Sequence, residues 1–169
     1  TILCNPIPMV FRSSRESGYM DRLLVTGGSG LLGSTVARQA RARYDVMTTY
    51  FSRPIQFDGI ECRRIDLTER DEYDTLRAFD PDYIVNCAAL TDVDRCEREP
   101  DVAHEFNVDM STYVAQLADD LGARLLHIST DAVFDGDDSF YEESDEPSPI
   151  NEYGRTKLEA ERCVSNVHD

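Results

Sequence analysis

Eight residues, Thr26-Gly27-Gly28-Ser29-Gly30-Leu31-Leu32-Gly33, restrict the fold more than any other part of the chain. They follow a short apolar run, Leu23-Leu24-Val25, and open a helical pattern from Leu31 to Ala42. Strand, glycine-rich turn and helix, in that order, form the setting in which such a turn holds a dinucleotide pyrophosphate. Each glycine has its own reason to be there. Gly27 lets the chain turn sharply off the strand. Gly30 lets the backbone approach a phosphate that a Cβ would strike, and Gly33 lets the helix pack closely on the sheet. The N–H groups at the helix start then face the anion, with the positive end of the helix dipole behind them. A glycine-rich turn that binds nothing is the competing reading, and the flanking strand and helix argue against it.

Strand and helix patterns alternate from there on. Asp45–Tyr50 reads as a second strand, Ile60–Ile65 as a third, Tyr83–Cys87 as a fourth after Pro81, and Arg124–Ser129 as a fifth. Thr68 is placed to cap a helix running to Phe79, with Tyr73, Leu76 and Phe79 facing the sheet at three-residue spacing. A short helical piece starts at Asp92. A longer helix from about Asp101 to Leu121 carries Phe106, Met110, Tyr113, Val114, Leu117 and Leu121 on its apolar face and stops at Gly122. After a polar, acidic loop, Asp135–Pro149, the last helix covers Asn151–Val167. This alternation predicts an α/β fold with a doubly wound parallel sheet, and right-handed crossovers give the order 3-2-1-4-5. Strand 5 is then an exposed edge. Residues 20–169 read as one domain. Residues 1–19, with Pro6, Pro8, Arg12 and Arg15 and no long apolar core, read as an extension outside it and not as a signal peptide.

Composition narrows the partners. The chain has 33 acidic against 17 basic residues and a formal net charge of -16. Such a surface repels nucleic acid and anionic membranes, which excludes both as partners, and no apolar run is long enough to span a bilayer. Lys157 is the sole lysine, and Asp is favoured over Glu. This pattern resembles proteins of salt-loving (halophilic) organisms, where high salt screens self-repulsion. An acidic protein of an ordinary organism is the alternative. Five scattered cysteines (Cys4, Cys62, Cys87, Cys96, Cys163) without a C-x-x-C pair, and isolated histidines, point to a reducing cytoplasm and to no metal site or disulfide framework. Cys87 is expected to pack within a strand.

Tyr153-Gly154-Arg155-Thr156-Lys157 sets a phenol and an ammonium four residues apart, on one face of a helix. A nearby ammonium stabilises phenolate and lowers the tyrosine pKa. Tyr153 then suits passing a proton to or from a carbonyl or alcohol oxygen while a nicotinamide moves hydride. An ordinary exposed Tyr/Lys pair is the other reading. Ser129-Thr130 offers a hydroxyl at the carboxyl end of strand 5, where open α/β sheets bind ligands, although a turn bonded by its own hydroxyls explains the same residues. About twenty residues past the glycines, NAD-selective domains carry an acidic residue for the ribose 2′-OH. This chain has Tyr50-Phe51-Ser52-Arg53, a hydroxyl and a guanidinium that suit the 2′-phosphate of NADP, unless Arg53 is only a solvated loop residue.

Gly28-x-Gly30-x-x-Gly33 fits the Rossmann spelling, and Gly27-x-x-Gly30-x-x-Gly33 fits that of the short-chain dehydrogenases/reductases. Further motifs follow in order: Asn86-Cys87-Ala88-Ala89, Thr91-x-Val93-Asp94, Asn107-Val108, Ser129-Thr130-Asp131-x-Val133-Phe134-Asp135-Gly136 and Tyr153-Gly154-x-x-Lys157. Together they make residues 20–165 resemble an extended short-chain dehydrogenase/reductase, most closely the dTDP-4-dehydrorhamnose reductase branch. The resemblance implies the Rossmann-type amino-terminal portion of a larger protein, without its substrate domain. It implies NADP(H) or NAD(H) as cofactor and a 4-keto nucleotide-sugar as substrate. Thr130, Tyr153 and Lys157 become the catalytic triad: Thr130 hydrogen-bonds the substrate oxygen, Tyr153 donates the proton, and Lys157 holds the nicotinamide ribose and tunes Tyr153. Gly27, Ser29, Gly30, Leu31, Leu32 and Gly33 are implied in cofactor binding, with Ser52 and Arg53. Asp66 and Leu67 fall near the adenine, Ala88 and Ala89 near the phosphates, and Asn107 near the cofactor. Thr91, Val93, Thr130 and Asp131 fall to the substrate. The chain departs from the branch at Leu90, usually aromatic, and Ala132, usually tyrosine. Both lie beside the substrate in the family, so the sugar stays open. NAD-dependent epimerases or dehydratases, and dinucleotide-binding regulatory subunits without turnover, are alternatives within the same fold. Family dimers often pair the helices represented here by Asp101–Leu121 and Asn151–Val167, so the resemblance implies a homodimer, while ordinary core packing explains the same apolar faces.

Overall fold

The computed structural model describes residues 20–138 and 140–167, and the extension expected for residues 1–19 lies outside them. Five strands, β1 (Arg22–Thr26), β2 (Asp45–Tyr50), β3 (Glu61–Arg64), β4 (Tyr83–Asn86) and β5 (Arg124–His127), form one sheet. All pairings are parallel, in the order β3-β2-β1-β4-β5, as the crossover rule requires. Central β1 is buried on both faces, which is why it reads as a continuous apolar run. Leu23 and Val25 pack with Val46 and with Ala37 of helix α1 (Leu31–Ala40). Leu24, on the opposite face, joins Met47, Ile84 and the helices beyond.

That second face is covered by α2 (Asp74–Phe79) and α5 (Met110–Leu121), through Leu76, Phe79, Val114 and Leu117. Truncating a fully buried residue such as Leu24 costs about 2–5 kcal/mol. Tyr73, Leu76 and Phe79 are all buried, as their spacing predicts. Thr68, however, caps nothing. Its hydroxyl and its N–H both turn to Asp66 Oδ1, at 2.7 and 3.1 Å, and the chain enters α2 through a 3-10 turn, Arg70–Tyr73. The local side-chain bond outcompetes the cap. β3 is also shorter than the predicted Ile60–Ile65, and Ile60 instead bridges back to Phe57.

Asp92 caps α3 (Val93–Arg98), accepting the Arg95 N–H at 2.9 Å. The long helix then starts one residue early, as α4 (Pro100–His104). It widens through Glu105–Asp109, where the Met110 N–H reaches the Glu105 carbonyl, and continues as α5 to Gly122, whose φ of 61° ends it. Asn151 starts α6 (Glu152–Val167) by accepting the Gly154 N–H at 2.8 Å. α6 packs against α3, α5 and the wide turn, and so brings Tyr153 and Lys157 to the end of β5. β5 ends at His127, two residues before the predicted end, and is a sheet edge paired only with β4. Among the described residues no helix is long and apolar enough to cross a membrane. Nor do three or more His, Cys, Asp or Glu residues gather there to hold a metal ion.

Candidate functional site

A crevice of about 740 Å³ opens at the carboxyl ends of the strands. The glycine turn forms part of its wall. Gly27 sits at φ 69°, and a Cβ there would lie 2.9 Å from the backbone of Cys87 and Ala88. A Cβ on Gly33 would overlap the Gly27 carbonyl oxygen, so this glycine packs α1 onto the turn and not onto the sheet as expected. Gly30 differs from both. Only the Gly27 oxygen lies within 4 Å of its would-be Cβ, at 3.3 Å, and its φ of -82° and ψ of 164° suit any residue. The fold does not require glycine at position 30, whereas a group entering the crevice would. No side chain caps the first turn of α1, and that turn holds no acidic residue. Its N–H groups and dipole therefore present an anion site with no competing carboxylate. These features fit a dinucleotide pyrophosphate.

Ser29, Leu31 and Leu32 line the crevice beside these glycines. Ser52 and Arg53 after β2, Asp66 and Leu67 after β3, and Ala88, Ala89 and Thr91 after β4 line it too. Tyr153 and Lys157 reach it from α6. Four expected residues do not line it. Val93 starts α3, and Asp131 is exposed and held by the Thr130 hydroxyl at 3.2 Å. Thr130 is hydrogen-bonded to Tyr153, which does line the crevice. Asn107 is fully buried and stands behind the crevice lining, bonded to Leu90, which lines it. Its Oδ1 accepts the Leu90 N–H at 2.8 Å, and its Nδ2 donates to the Leu90 carbonyl at 3.2 Å and to Thr156 Oγ1 at 3.0 Å. From the wide turn, Asn107 clamps the crevice wall to α6.

Thr130 hydrogen-bonds the Tyr153 phenol and also accepts the Ala132 N–H at 3.2 Å. Gly154 permits this approach, because a Cβ there would overlap the Ala132 carbonyl oxygen. Burial pushes the Tyr153 phenol above its ordinary value, against the Thr130 hydrogen bond, and Cys96 and Asp131 add to the rise. The expected lowering by Lys157 is not found. Lys157 is 2% exposed, and its Nζ donates to the Ile128 carbonyl at 2.6 Å and lies 3.3 Å from His127 Nε2. Burial pulls it down to about 8, with Glu161 and Cys87 opposing.

Cys87 lies one residue past β4, where it packs against the core cluster of Val25 and also lines the crevice. Burial pushes its thiol up to about 11, against the Lys157 charge, and so favours the protonated form near neutrality. Sequence reasoning assigned Phe106 and Met110 to core packing alone, but both also line the crevice, with Phe106 6.2 Å from Phe51 between ring centroids. Their four-residue spacing at the start of a helix facing the strand ends was the available signal.

The RmlD substrate binding domain family matches residues 20–169. Over 147 residues the chain is 44% identical to the probable low-salt glycan biosynthesis reductase Agl14 of Haloferax volcanii, covering 85% of this chain and 49% of that protein. It is 39% identical over 146 residues to methionine adenosyltransferase 2 subunit beta of Bos taurus, covering 85% of this chain and 42% of that one. The solved dTDP-4-dehydrorhamnose reductase of Bacillus anthracis in complex with NADP superposes with a TM-score of 0.77 at 31% identity, over 90% of this chain and 51% of that one. The chain spans about half the length of the curated relatives it matches. With a parallel five-stranded sheet, a glycine turn at its crevice and a family match over all but its first nineteen residues, the chain belongs to the RmlD substrate binding domain family.

Proposed function

We propose that this chain is the dinucleotide-binding portion of an NADP(H)- or NAD(H)-dependent reductase acting on a 4-keto nucleotide-sugar, of the dTDP-4-dehydrorhamnose reductase kind. One observation carries the reading: Tyr153, hydrogen-bonded to Thr130, lines the same crevice as an uncapped helix start whose backbone at Gly30 any residue can adopt. An anion site and a proton-carrying phenol at one crevice suit hydride transfer to a carbonyl. The likeness to a reductase and to an NADP-bound enzyme supports it.

In this reading the main chain of Gly27–Gly33 holds the pyrophosphate, with Ala88 and Ala89 alongside. Asp66 and Leu67 flank the adenine, Ser52 and Arg53 meet a 2′-phosphate, and Lys157 holds the nicotinamide ribose. The bound nicotinamide supplies the hydride. Tyr153 gives its phenolic proton to the carbonyl oxygen in reduction and recovers it in oxidation. Its raised pKa keeps the phenol protonated near neutrality, the form that reduction uses. Thr130 hydrogen-bonds the same oxygen, on the side where Thr91, Val93 and Asp131 would meet substrate.

The test uses the intact protein, titrated with NADPH and assayed for NADPH consumption with dTDP-4-dehydrorhamnose. Tyr153→Phe is expected to keep NADPH affinity within about 2-fold and to lose turnover by about 100-fold or more. Undiminished turnover in that variant ends the proton-donor role. The match to methionine adenosyltransferase 2 subunit beta favours a second reading, a dinucleotide-binding subunit without turnover. NADPH binding with no reduction of any 4-keto sugar nucleotide, together with copurification of a second enzyme, is its signature.

A further inference from the structure

Sheet register sets Thr26, Asn86 and His127 side by side at the ends of β1, β4 and β5. All three are buried, and the row ends on Lys157. Hydrogen-bond accounting fixes the direction of each proton along it. The Thr26 hydroxyl accepts the N–H groups of Cys87 and Ala88, at 3.1 and 3.2 Å. With both lone pairs engaged it must donate its own hydrogen, and Asn86 Oδ1 receives it at 2.6 Å. The carbonyl end of Asn86 is thereby assigned, and Nδ2 faces Ser111 Oγ at 3.4 Å and His127 Nδ1 at 3.1 Å. An amide nitrogen only donates, so His127 Nδ1 accepts, and the neutral ring carries its proton on Nε2. That N–H stands 3.3 Å from Lys157 Nζ. An ammonium there meets a second donor head-on, whereas a neutral amine accepts it. Nζ keeps the Ile128 carbonyl as its partner in either form.

We propose that His127 is a positioning residue that favours the neutral amine of Lys157, through an Nε2–H tautomer imposed from Thr26 by way of Asn86. Burial holds the ring neutral, pulling His127 down to about 3, with the Lys157 charge acting in the same direction. The groups facing Lys157 are His127 from β5, Ile128 beyond it, Cys87 past β4, and Glu161 and Tyr153 on α6. Glu161 favours the ammonium and the Cys87 thiol is uncharged near neutrality, so the ring N–H and the carboxylate pull in opposite directions. The catalytic meaning rests on the function proposed above: a lysine poised between its two forms can relay a proton as well as hold a ribose. The tautomer and the titration do not rest on it.

Lys157 is the only lysine in the chain, so isotope-labelled lysine gives one NMR signal whose midpoint belongs to it. Cofactor, substrate and turnover are not needed. The expected results are a midpoint near 8 and an unprotonated His127 Nδ1 in the histidine nitrogen spectrum. His127→Gln can turn a carbonyl oxygen to the ammonium where a ring N–H stood, and is expected to raise the midpoint by about one pH unit. Thr26→Val, near-isosteric and remote from Lys157, frees the Asn86 amide to reverse and raises the midpoint in the same direction. A midpoint that is unmoved or lower in either folded variant overturns the proposal, as does an Nδ1–H tautomer in the unmodified chain. If both variants fail to fold, the tautomer alone decides. A protein without reductase turnover leaves all of these readings in place, so the two proposals fail separately.

Discussion

Gly30→Ala and Gly33→Ala separate two reasons for a glycine three residues apart in one turn. At position 33 the new Cβ would overlap the Gly27 carbonyl oxygen and stand 2.8 Å from its carbon. Both atoms are main chain, and clearing so short a contact requires the turn itself to move, whereas the 3.3 Å contact at position 30 is relieved by a few tenths of an ångström. Overpacking a fixed site costs about 3 kcal/mol, offset by about 1 kcal/mol for alanine over glycine within a helix. The net, about 2 kcal/mol, lowers the melting temperature by about 4–8 °C in a chain of this size. At position 30 the same change meets only the Gly27 oxygen, at 3.3 Å, on a backbone already open to alanine. Its melting temperature is expected to stay within about 2 °C of the parent. Its methyl, however, projects beside the uncapped start of α1, where a pyrophosphate oxygen would lie. An overlap of about 1–3 kcal/mol weakens NADPH binding by roughly 5- to 150-fold. Thermal unfolding and a fluorescence titration with NADPH read the two effects independently. A Gly30→Ala chain that melts normally and binds NADPH with full affinity refutes the phosphate cradle. A Gly33→Ala chain that melts above the parent refutes the packing account.

Asn107→Leu removes the acceptor of the half-buried Leu90 N–H and one of the two donors to its carbonyl, and is expected to cost about 1–3 kcal/mol, read as a lower urea midpoint. Arg53→Ala is expected to weaken NADPH about 10-fold and NADH less than about 2-fold; equal loss for both dinucleotides sinks the 2′-phosphate role. His127 has a value of about 3 in the folded chain against 6.5 ordinarily, so on acidification the unfolded state takes up the proton first. The stability tied to it is complete above about pH 6.5 and is lost as pH falls towards 3, on the order of 5 kcal/mol across the interval. Urea midpoints compared at about pH 7 and about pH 4.5 are expected to fall less in His127→Gln than in the parent.

What the sequence disclosed and what it hid divide along one physical line. The strand, turn and helix around Thr26–Gly33, the alternation behind the sheet order, and the buried stripe of Tyr73, Leu76 and Phe79 are patterns written within short stretches of the chain, whatever they later pack against. Thr68 failed as a cap because a nearer acceptor, Asp66, was available, a contest that spacing alone does not rank. The contacts that spacing hides are not local. Asn107 reaches Leu90 and Thr156, seventeen and forty-nine residues away. Cys87 meets the crevice because the strand ended one residue before it. Lys157 was expected to act on Tyr153, its neighbour on the helix face, yet its amine is directed to the end of β5. The group that meets it there, the His127 ring, takes its tautomer from a hydroxyl on β1 through an amide on β4. Thr26 and Asn86 are sixty residues apart, and Asn86 and His127 forty-one. No periodicity links three polar residues at the ends of three strands. Only parallel register aligns them, so the protonation of the lysine is set by the assembled sheet as well as by Glu161 on the helix that carries it.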